Sequence, residues 1–305
     1  MKKALFVLIL FISVSFLIFF ILEFFNVPKN VIIFNPNLFD IFKLDDSKAI
    51  LVLGKMGGYH YGAENTDAMF VFYIKNEKIF IIHIPRDLIV KIGNDFYKIN
   101  SLYAFKKMDK LLYEVSNFTG LKVKKYIVID SYIVKKVVDL LGGLEVELKY
   151  PVTDAVSGYT LFPGKHKLNG EWVDFVIRSR YYSDGDFTRM RNQFIIIKSL
   201  KENLQKTSLE NIFRVFNFIV GSKSHFETNL DYKEMIELIR EISKVKSKNM
   251  KEIWIGYDKT IWIDGYFNIK INAHYAPAYG LYPKDGVGEY STIREKIKKE
   301  IAEKH

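Results

Sequence analysis

The side chains best placed for chemistry are arginines and carboxylates at the ends of expected strands and helices. Ile84-Pro85-Arg86-Asp87 follows directly on an apolar run, Ile79–Ile84. Proline ends strand pairing and fixes a turn, so Arg86 projects from the rim of a sheet, where α/β proteins hold their ligands. A plain Arg-Asp surface turn is the alternative. A second group is Arg178-Ser179-Arg180, followed by Asp184, Asp186, Arg189, Arg191 and Gln193. Arg189 and Gln193 are four apart and share one face of a helix that Asp186 is placed to cap. Guanidinium groups grip phosphate oxygens in pairs, and several of them near a helix N-terminus suit a pyrophosphate. Taken one at a time, the same residues also describe a solvated, salt-bridged face. Asn65-Thr66-Asp67 stands before the run Ala68–Ile74. Asp67 is there either a carboxylate ligand for Mg²⁺, which takes oxygen donors, or part of a strand-initiating turn. Lys98-Ile99-Asn100 precedes an amphipathic stretch.

Other chemistries find no support. The six histidines are scattered, with no His-x-x-x-His pair, no phosphate-binding Gly-Lys-Ser/Thr loop and no Gly-x-Ser-x-Gly. With no cysteine in the chain, disulfides, zinc thiolates and cysteine nucleophiles are excluded, and the redox compartment is left open.

The elements that must position these groups read as strands alternating with helices. Ala49–Leu53, Ala68–Ile74 and Ile79–Ile84 are near-continuous apolar runs, the last two joined by the polar turn Lys75-Asn76-Glu77-Lys78, which predicts buried strands and a hairpin. The spacing of Leu102, Phe105, Met108, Leu111, Leu112 and Val115 predicts an amphipathic helix. Tyr126–Ile129 and Leu144–Leu148 predict strands, and Ser131–Leu141 a helix stopped by Gly142-Gly143. Farther on, Ser199–Val220 and Tyr232–Ile242 predict helices. The apolar arc of the first is wide enough for a helix between two layers or for one wall of a cavity that takes a long apolar ligand. Trp254, Trp262 and Tyr275–Tyr282 suggest a late strand region, and a charged helix begins at Thr292. This alternation indicates a layered α/β fold.

The chain has 305 residues, 49% of them hydrophobic, with 25 Phe, 19 Tyr and only 7 Pro, so it can bury a sizeable core. Its formal charge of +10 suits an anionic partner: nucleic acid, a lipid surface or a phosphorylated substrate. Lys2 and Lys3 precede Ala4–Leu22, an apolar run broken only by Ser13 and Ser15 and closed by Glu23. That matches the roughly 20-residue helix needed to cross a bilayer. A cleaved signal peptide is the rival, but no small-x-small cleavage site lies between Leu22 and Asn30. The expectation is therefore an N-terminal signal anchor over residues 1–25, a stalk over 26–48 and a domain over 49–305. The flanking lysines keep the N-terminus in the cytoplasm and place the domain outside the membrane, which argues against nucleic acid.

In order along the chain, these residues resemble the LytR-CpsA-Psr family of membrane-anchored cell-wall enzymes. The resemblance runs from about Ala49 to Gln193. It takes in the first strand and its Gly loop, Thr66-Asp67, Ile84-Pro85-Arg86-Asp87, and Lys98-Ile99-Asn100 with Tyr103-Ala104. It continues through Asp139-Leu140-Leu141-Gly142-Gly143-Leu144-Glu145-Val146, Gly158-Tyr159, Leu168-Asn169-Gly170-Glu171, Arg178-Ser179-Arg180, and Asp186-Phe187 with Arg189 and Gln193. The resemblance implies an α/β/α layered fold with a central mixed sheet and a hydrophobic pocket for a polyprenyl tail. It implies transfer of a glycopolymer from a polyprenyl-pyrophosphate carrier to peptidoglycan through a phosphodiester, with membrane, lipid-linked glycan and peptidoglycan acceptor as partners. Carried over by position, Arg86, Lys98, Arg178, Arg180, Asp186, Arg189 and Gln193 surround the pyrophosphate, and Asp87 is a base or an orienting group for Arg86. The sequence departs from the family where an aspartate two residues after the glycine of the first strand pairs with Asp67 to hold Mg²⁺. Met56 stands there, beside Lys55, and Asn65 and Asn192 replace family arginines. Either Asp67 holds Mg²⁺ weakly with the substrate, or Lys55 supplies positive charge in its place. A catalytically reduced protein that binds polyprenyl-linked intermediates is the alternative to the enzyme.

Overall fold

The computed structural model describes residues 48–59, 62–153, 157–179, 186–256, 258–271 and 274–303, all within one compact unit that starts at Asp45. The expected anchor, and the expected stalk up to Ser47, lie outside the described residues, as do Arg180 and Asp184. Among the described residues, no helix is long and apolar enough to cross a membrane.

The strands are β1 (Lys48–Lys55), β2 (Thr66–Lys75), β3 (Lys78–His83), β4 (Ile89–Ile92), β5 (Asp95–Lys98), β6 (Lys125–Asp130), β7 (Leu144–Leu148), β8 (Val152–Thr153), β9 (Thr160–Leu161), β10 (Gly164–Leu168), β11 (Phe226–Thr228), β12 (Met250–Ile253), β13 (Trp262–Ile271) and β14 (His274–Pro283). The helices are α1 (Met108–Thr119), α2 (Ser131–Leu140), α3 (Gly170–Arg178), α4 (Asp186–Lys206), α5 (Leu209–Gly221), α6 (Tyr232–Lys244) and α7 (Ser291–Glu303).

Six strands form a mixed sheet in the order β11-β6-β1-β2-β3-β12. The pairs β1–β6 and β3–β12 are parallel, and the other neighbours are antiparallel. The central strands are apolar throughout because both faces are covered. Ala49, Leu51 and Leu53 of β1 enter one core with Met69, Val71 and Tyr73 of β2, packed under α1 and α7. Val52 enters a second core with Phe70 and Ile74, packed under α4 and α6. Continuous apolar runs are what a strand buried on both faces requires. The expected hairpin is β2–β3, turning at Asn76 and Glu77, and the late strand region is the long antiparallel pair β13–β14.

Two helices differ from expectation. Leu102 and Phe105 belong to a short 3-10 turn and loop ahead of α1, which begins at Met108. A 3-10 turn repeats every three residues, so it copied the spacing of a helical stripe. The predicted helix Ser199–Val220 is two helices, because α4 ends at Lys206 and Ser208 caps α5 through its side chain on the Asn211 amide. Thr207-Ser208 carries the cap signal that splits the run.

Close approach at the α2–α3 crossing depends on Gly170: a Cβ there would sit 2.4 Å from the Lys135 carbonyl. The crossing brings α3, with Arg178 in its last turn, toward the same end of the sheet as Arg86.

Candidate active site

Beyond β3 the chain passes through Ile84-Pro85 into a tight turn, in which the Leu88 amide donates to the Pro85 carbonyl at 3.1 Å. The turn is pinned on two sides: the Asn100 amide donates to the Arg86 carbonyl at 3.3 Å, and the Leu281 amide of β14 donates to the Asp87 carbonyl at 3.0 Å. Arg86 therefore leaves a fixed backbone at the sheet rim, as its sequence position predicts.

Its guanidinium meets three carboxylates. Nη1 donates to Asp67 Oδ1 at 2.7 Å, and Nε lies 3.0 Å from Asp186 Oδ1 and 3.5 Å from Asp87 Oδ2. Burial opposes the charge on Arg86, but Asp186, Asp87 and Asp67 outweigh it, and the pKa is raised above the ordinary arginine value. Lys98, at the end of β5, donates to Asp87 Oδ1 at 2.7 Å. Asp186 opens α4 and also accepts from Arg189, which is only 2% exposed. The result is a run of alternating charge centred on Arg86, which is oriented by carboxylates from three parts of the chain.

Arg178 ends α3, pairs with Asp174 at 3.1 Å and is half-exposed at 52% of its side chain. Gln193, one turn beyond Arg189 on α4, donates to the Ile177 carbonyl at 3.5 Å. Arg191 points elsewhere, stacking on Trp254 with 5.0 Å between guanidinium and ring. Asp67, Arg86, Asp87, Lys98, Arg178, Arg189 and Gln193 all line one cavity of about 1260 Å³, while Asp186 stands behind them facing the two arginines. Arg180 lies outside the described residues.

The same cavity continues between the sheet and the helices. Val52 and Phe70 of the sheet, Val134 of α2, Phe175 and Ile177 of α3, and Ile196, Ile197 and Leu200 of α4 line it. The apolar wall is thus the middle of α4 together with α2 and α3, and of the Ser199–Val220 stretch it takes in Leu200, at the N-terminal end. The signal was the run Phe194-Ile195-Ile196-Ile197 directly after Gln193, which placed apolar bulk one turn from the arginines.

Lys55 and Asp130 also line the cavity, and of the two only Lys55 stood out in the sequence. Lys55, the last residue of β1, is held by both carboxylate oxygens of Glu64 at 2.7 and 2.9 Å. Asp130, buried at the end of β6, caps α2 and bonds His225 at 2.5 Å. Gly57 makes room for it, since a Cβ there would come within 2.9 Å of Asp130 Oδ2. Among the described residues, no three His, Cys, Asp or Glu side chains are gathered closely enough to hold a metal ion.

The α/β domain thus sets arginines, which suit phosphate oxygens, at the mouth of an apolar chamber. The comparisons place it further: residues 27–277 match the LytR_cpsA_psr family model, and the chain belongs to that family. Regulatory protein MsrR of Staphylococcus aureus is 30% identical over 169 residues, covering 53% of this chain and 50% of the relative. The teichoic acid transferase TagV of Bacillus subtilis, a polyisoprenyl-teichoic acid–peptidoglycan transferase, is 25% identical over 207 residues, covering 62% and 52%. The chain thus spans about half the length of these curated relatives. The crystal structure of B. subtilis TagV superposes with a TM-score of 0.61 at 22% identity over 85% of this chain and 99% of that one. A structure described as TagT bound to LIIa-WTA gives 0.61 at 20% identity over 90% and 95%. These superpositions show a shared fold.

Proposed function

We propose that the protein is a cell-envelope phosphotransferase that moves a glycopolymer from a polyprenyl-pyrophosphate carrier to peptidoglycan through a phosphodiester. The observation that carries this reading is the continuity of one cavity, arginine-lined at its mouth and apolar along its length. Family membership and the printed activity of TagV support it. In this reading the prenyl chain lies against Phe70, Ile196, Ile197 and Leu200, and the pyrophosphate meets Arg86, Arg178, Arg189 and Gln193. Arg180, Lys98 and Asp186 complete the site, the last by orienting Arg86 and Arg189. An acceptor sugar hydroxyl attacks the phosphorus next to the glycan, and polyprenyl phosphate leaves with the electron pair of the broken P–O bond and takes up the proton lost by the hydroxyl. Phosphoryl transfer needs positioning and charge neutralisation more than covalent help from the protein, and fixed guanidinium groups supply both. Asp87, with Oδ1 on Lys98 and Oδ2 toward Arg86, serves as an orienting group. Residues 1–25 anchor the chain in the membrane, and the domain works on its outer side.

The test is a reconstituted reaction of full-length protein with a polyprenyl-pyrophosphoryl saccharide and peptidoglycan oligomers. Product is expected from the natural protein, with Arg86→Ala slower by about 10²–10³-fold. Met56 favours a second reading, a binding protein without turnover. Tight lipid binding without product would establish that reading and reject the first.

A further inference from the structure

We infer that Lys55 takes the place of a divalent cation at this site, so that the pyrophosphate is neutralised by Lys55 together with the arginines of the cavity and without a metal. The inference rests on the proposed function and concerns the electrostatics of the same cavity.

The donor set does not suit Mg²⁺. That ion needs hard oxygen ligands in near-octahedral order, and it is usually held by one or two carboxylates plus substrate phosphates. At the end of β1 the available side chain is the thioether of Met56, a soft donor. The nearby carboxylates are already engaged: Asp67 Oδ1 accepts from Arg86 at 2.7 Å and from Asn100 at 3.5 Å, Asp87 Oδ1 accepts from Lys98, and Asp130 bonds His225. A metal at that oxygen would sit against the part-buried guanidinium of Arg86, a like-charge contact.

Lys55 is built into the gap. It pairs in register with Thr66, the residue before Asp67, so its backbone lies beside that carboxylate across the β1–β2 ladder. Its side chain is 12% exposed and lines the cavity with Asp67 and Arg86. Glu64 holds the ammonium from one side, and the Tyr103 ring lies 5.7 Å from it on another. Glu64 is itself 52% exposed, so water screens the pair and the contact is weak. A pyrophosphate carries more charge than one carboxylate and can draw the ammonium from Glu64 without any metal. The resting ion pair thus keeps Lys55 extended at the mouth until substrate arrives.

Calorimetric titration of full-length protein in detergent with farnesyl pyrophosphate tests this, in EDTA and in excess Mg²⁺. The expected dissociation constants agree within about twofold, Lys55→Ala weakens binding by about tenfold or more in both buffers, and Lys55→Arg retains most of it. Mn²⁺ electron paramagnetic resonance gives a readout independent of the lipid. The free-ion signal is expected to persist with the natural protein and to diminish with the Lys55→Ala/Met56→Asp variant. Tightening by about tenfold or more on adding Mg²⁺ to the natural protein overturns the inference, and that comparison depends on no variant folding. Binding lost in Arg86→Ala but unchanged in Lys55→Ala overturns it too, while leaving the proposed function standing. If the natural protein binds no pyrophosphate in either buffer, both fail together.

Discussion

Alternate residues of β1 and β2 leave the central sheet toward two faces that end differently. On one, Leu111, Val115 and Phe118 of α1 and Ile293, Ile297 and Ile301 of α7 close directly onto Leu51, Leu53 and Val71. Phe118 meets Tyr290 edge to face at 5.3 Å. On the other, α4 packs onto Phe70 through Phe194 and Ile197, yet Val52, Phe70, Ile196 and Leu200 also border open space. The side chains are of the same kind, so hydrophobicity does not distinguish a core from a chamber. What differs is the rim. A sealed void of about 1260 Å³ would, at ~24 cal/mol per Å³, exceed the ~5–15 kcal/mol margin of a typical domain. The space persists because its mouth is open and lined with charge.

Substitutions on the two faces should therefore fail in different assays. The largest effect is expected from Phe118→Ala on the sealed face: a loss of about 3–5 kcal/mol in denaturant unfolding, with prenyl pyrophosphate affinity unchanged wherever the protein remains folded. A loss below about 1 kcal/mol would mean that this face is not the stability core. Next is Leu200→Trp in the chamber. It should weaken binding of a long-chain prenyl pyrophosphate by about tenfold, ~1.4 kcal/mol, and leave a short-chain analogue unaffected. Equal losses for both chain lengths would place the prenyl tail elsewhere.

The smallest effect concerns Glu114, buried on the sealed face with the Tyr290 hydroxyl 3.4 Å away. Burial pushes its carboxyl above the usual range, and the Tyr290 bond and Lys110 offset only part of that. A carboxyl with a raised folded pKa binds its proton more tightly folded than unfolded. Its contribution is complete below the unfolded value of about 4.3 and is lost as pH rises through the folded value. Glu114→Gln should then melt higher than the parent at neutral pH by roughly 2 °C, with the difference closing toward about pH 4. A parent that melts higher at neutral pH would show that the ionised carboxylate is satisfied.

The sheet was legible because double burial writes itself as unbroken apolar runs at Ala49–Leu53, Ala68–Ile74 and Ile79–Ile84. Helix limits were less so: Leu102 and Phe105 copied helical spacing from a 3-10 turn, and Ser208 cut an apolar run in two. At the site, Pro85-Arg86 and the spacing of Arg189 and Gln193 announced a rim and a helix face. Which carboxylate holds which cation was not legible, because Arg86 reaches Asp67, Asp87 and Asp186 from three separate segments. Lys55 was legible as a charge beside Met56, whereas its partner Glu64 and its place beside Thr66 became visible only in the structure.

The hydrogen bond from the Leu281 amide to the Asp87 carbonyl ties the Arg86 turn to β14, a strand far away in sequence. A polypeptide grows from its N-terminus, so the sheet strands, Arg86 and α4 are all made before β14 exists to brace that turn. Such long sequence separation is slow to close and closes late. The β13–β14 hairpin is thus a timing element: the turn at Arg86 first has only its bond from the Asn100 amide, and its second support comes only once β14 has been made.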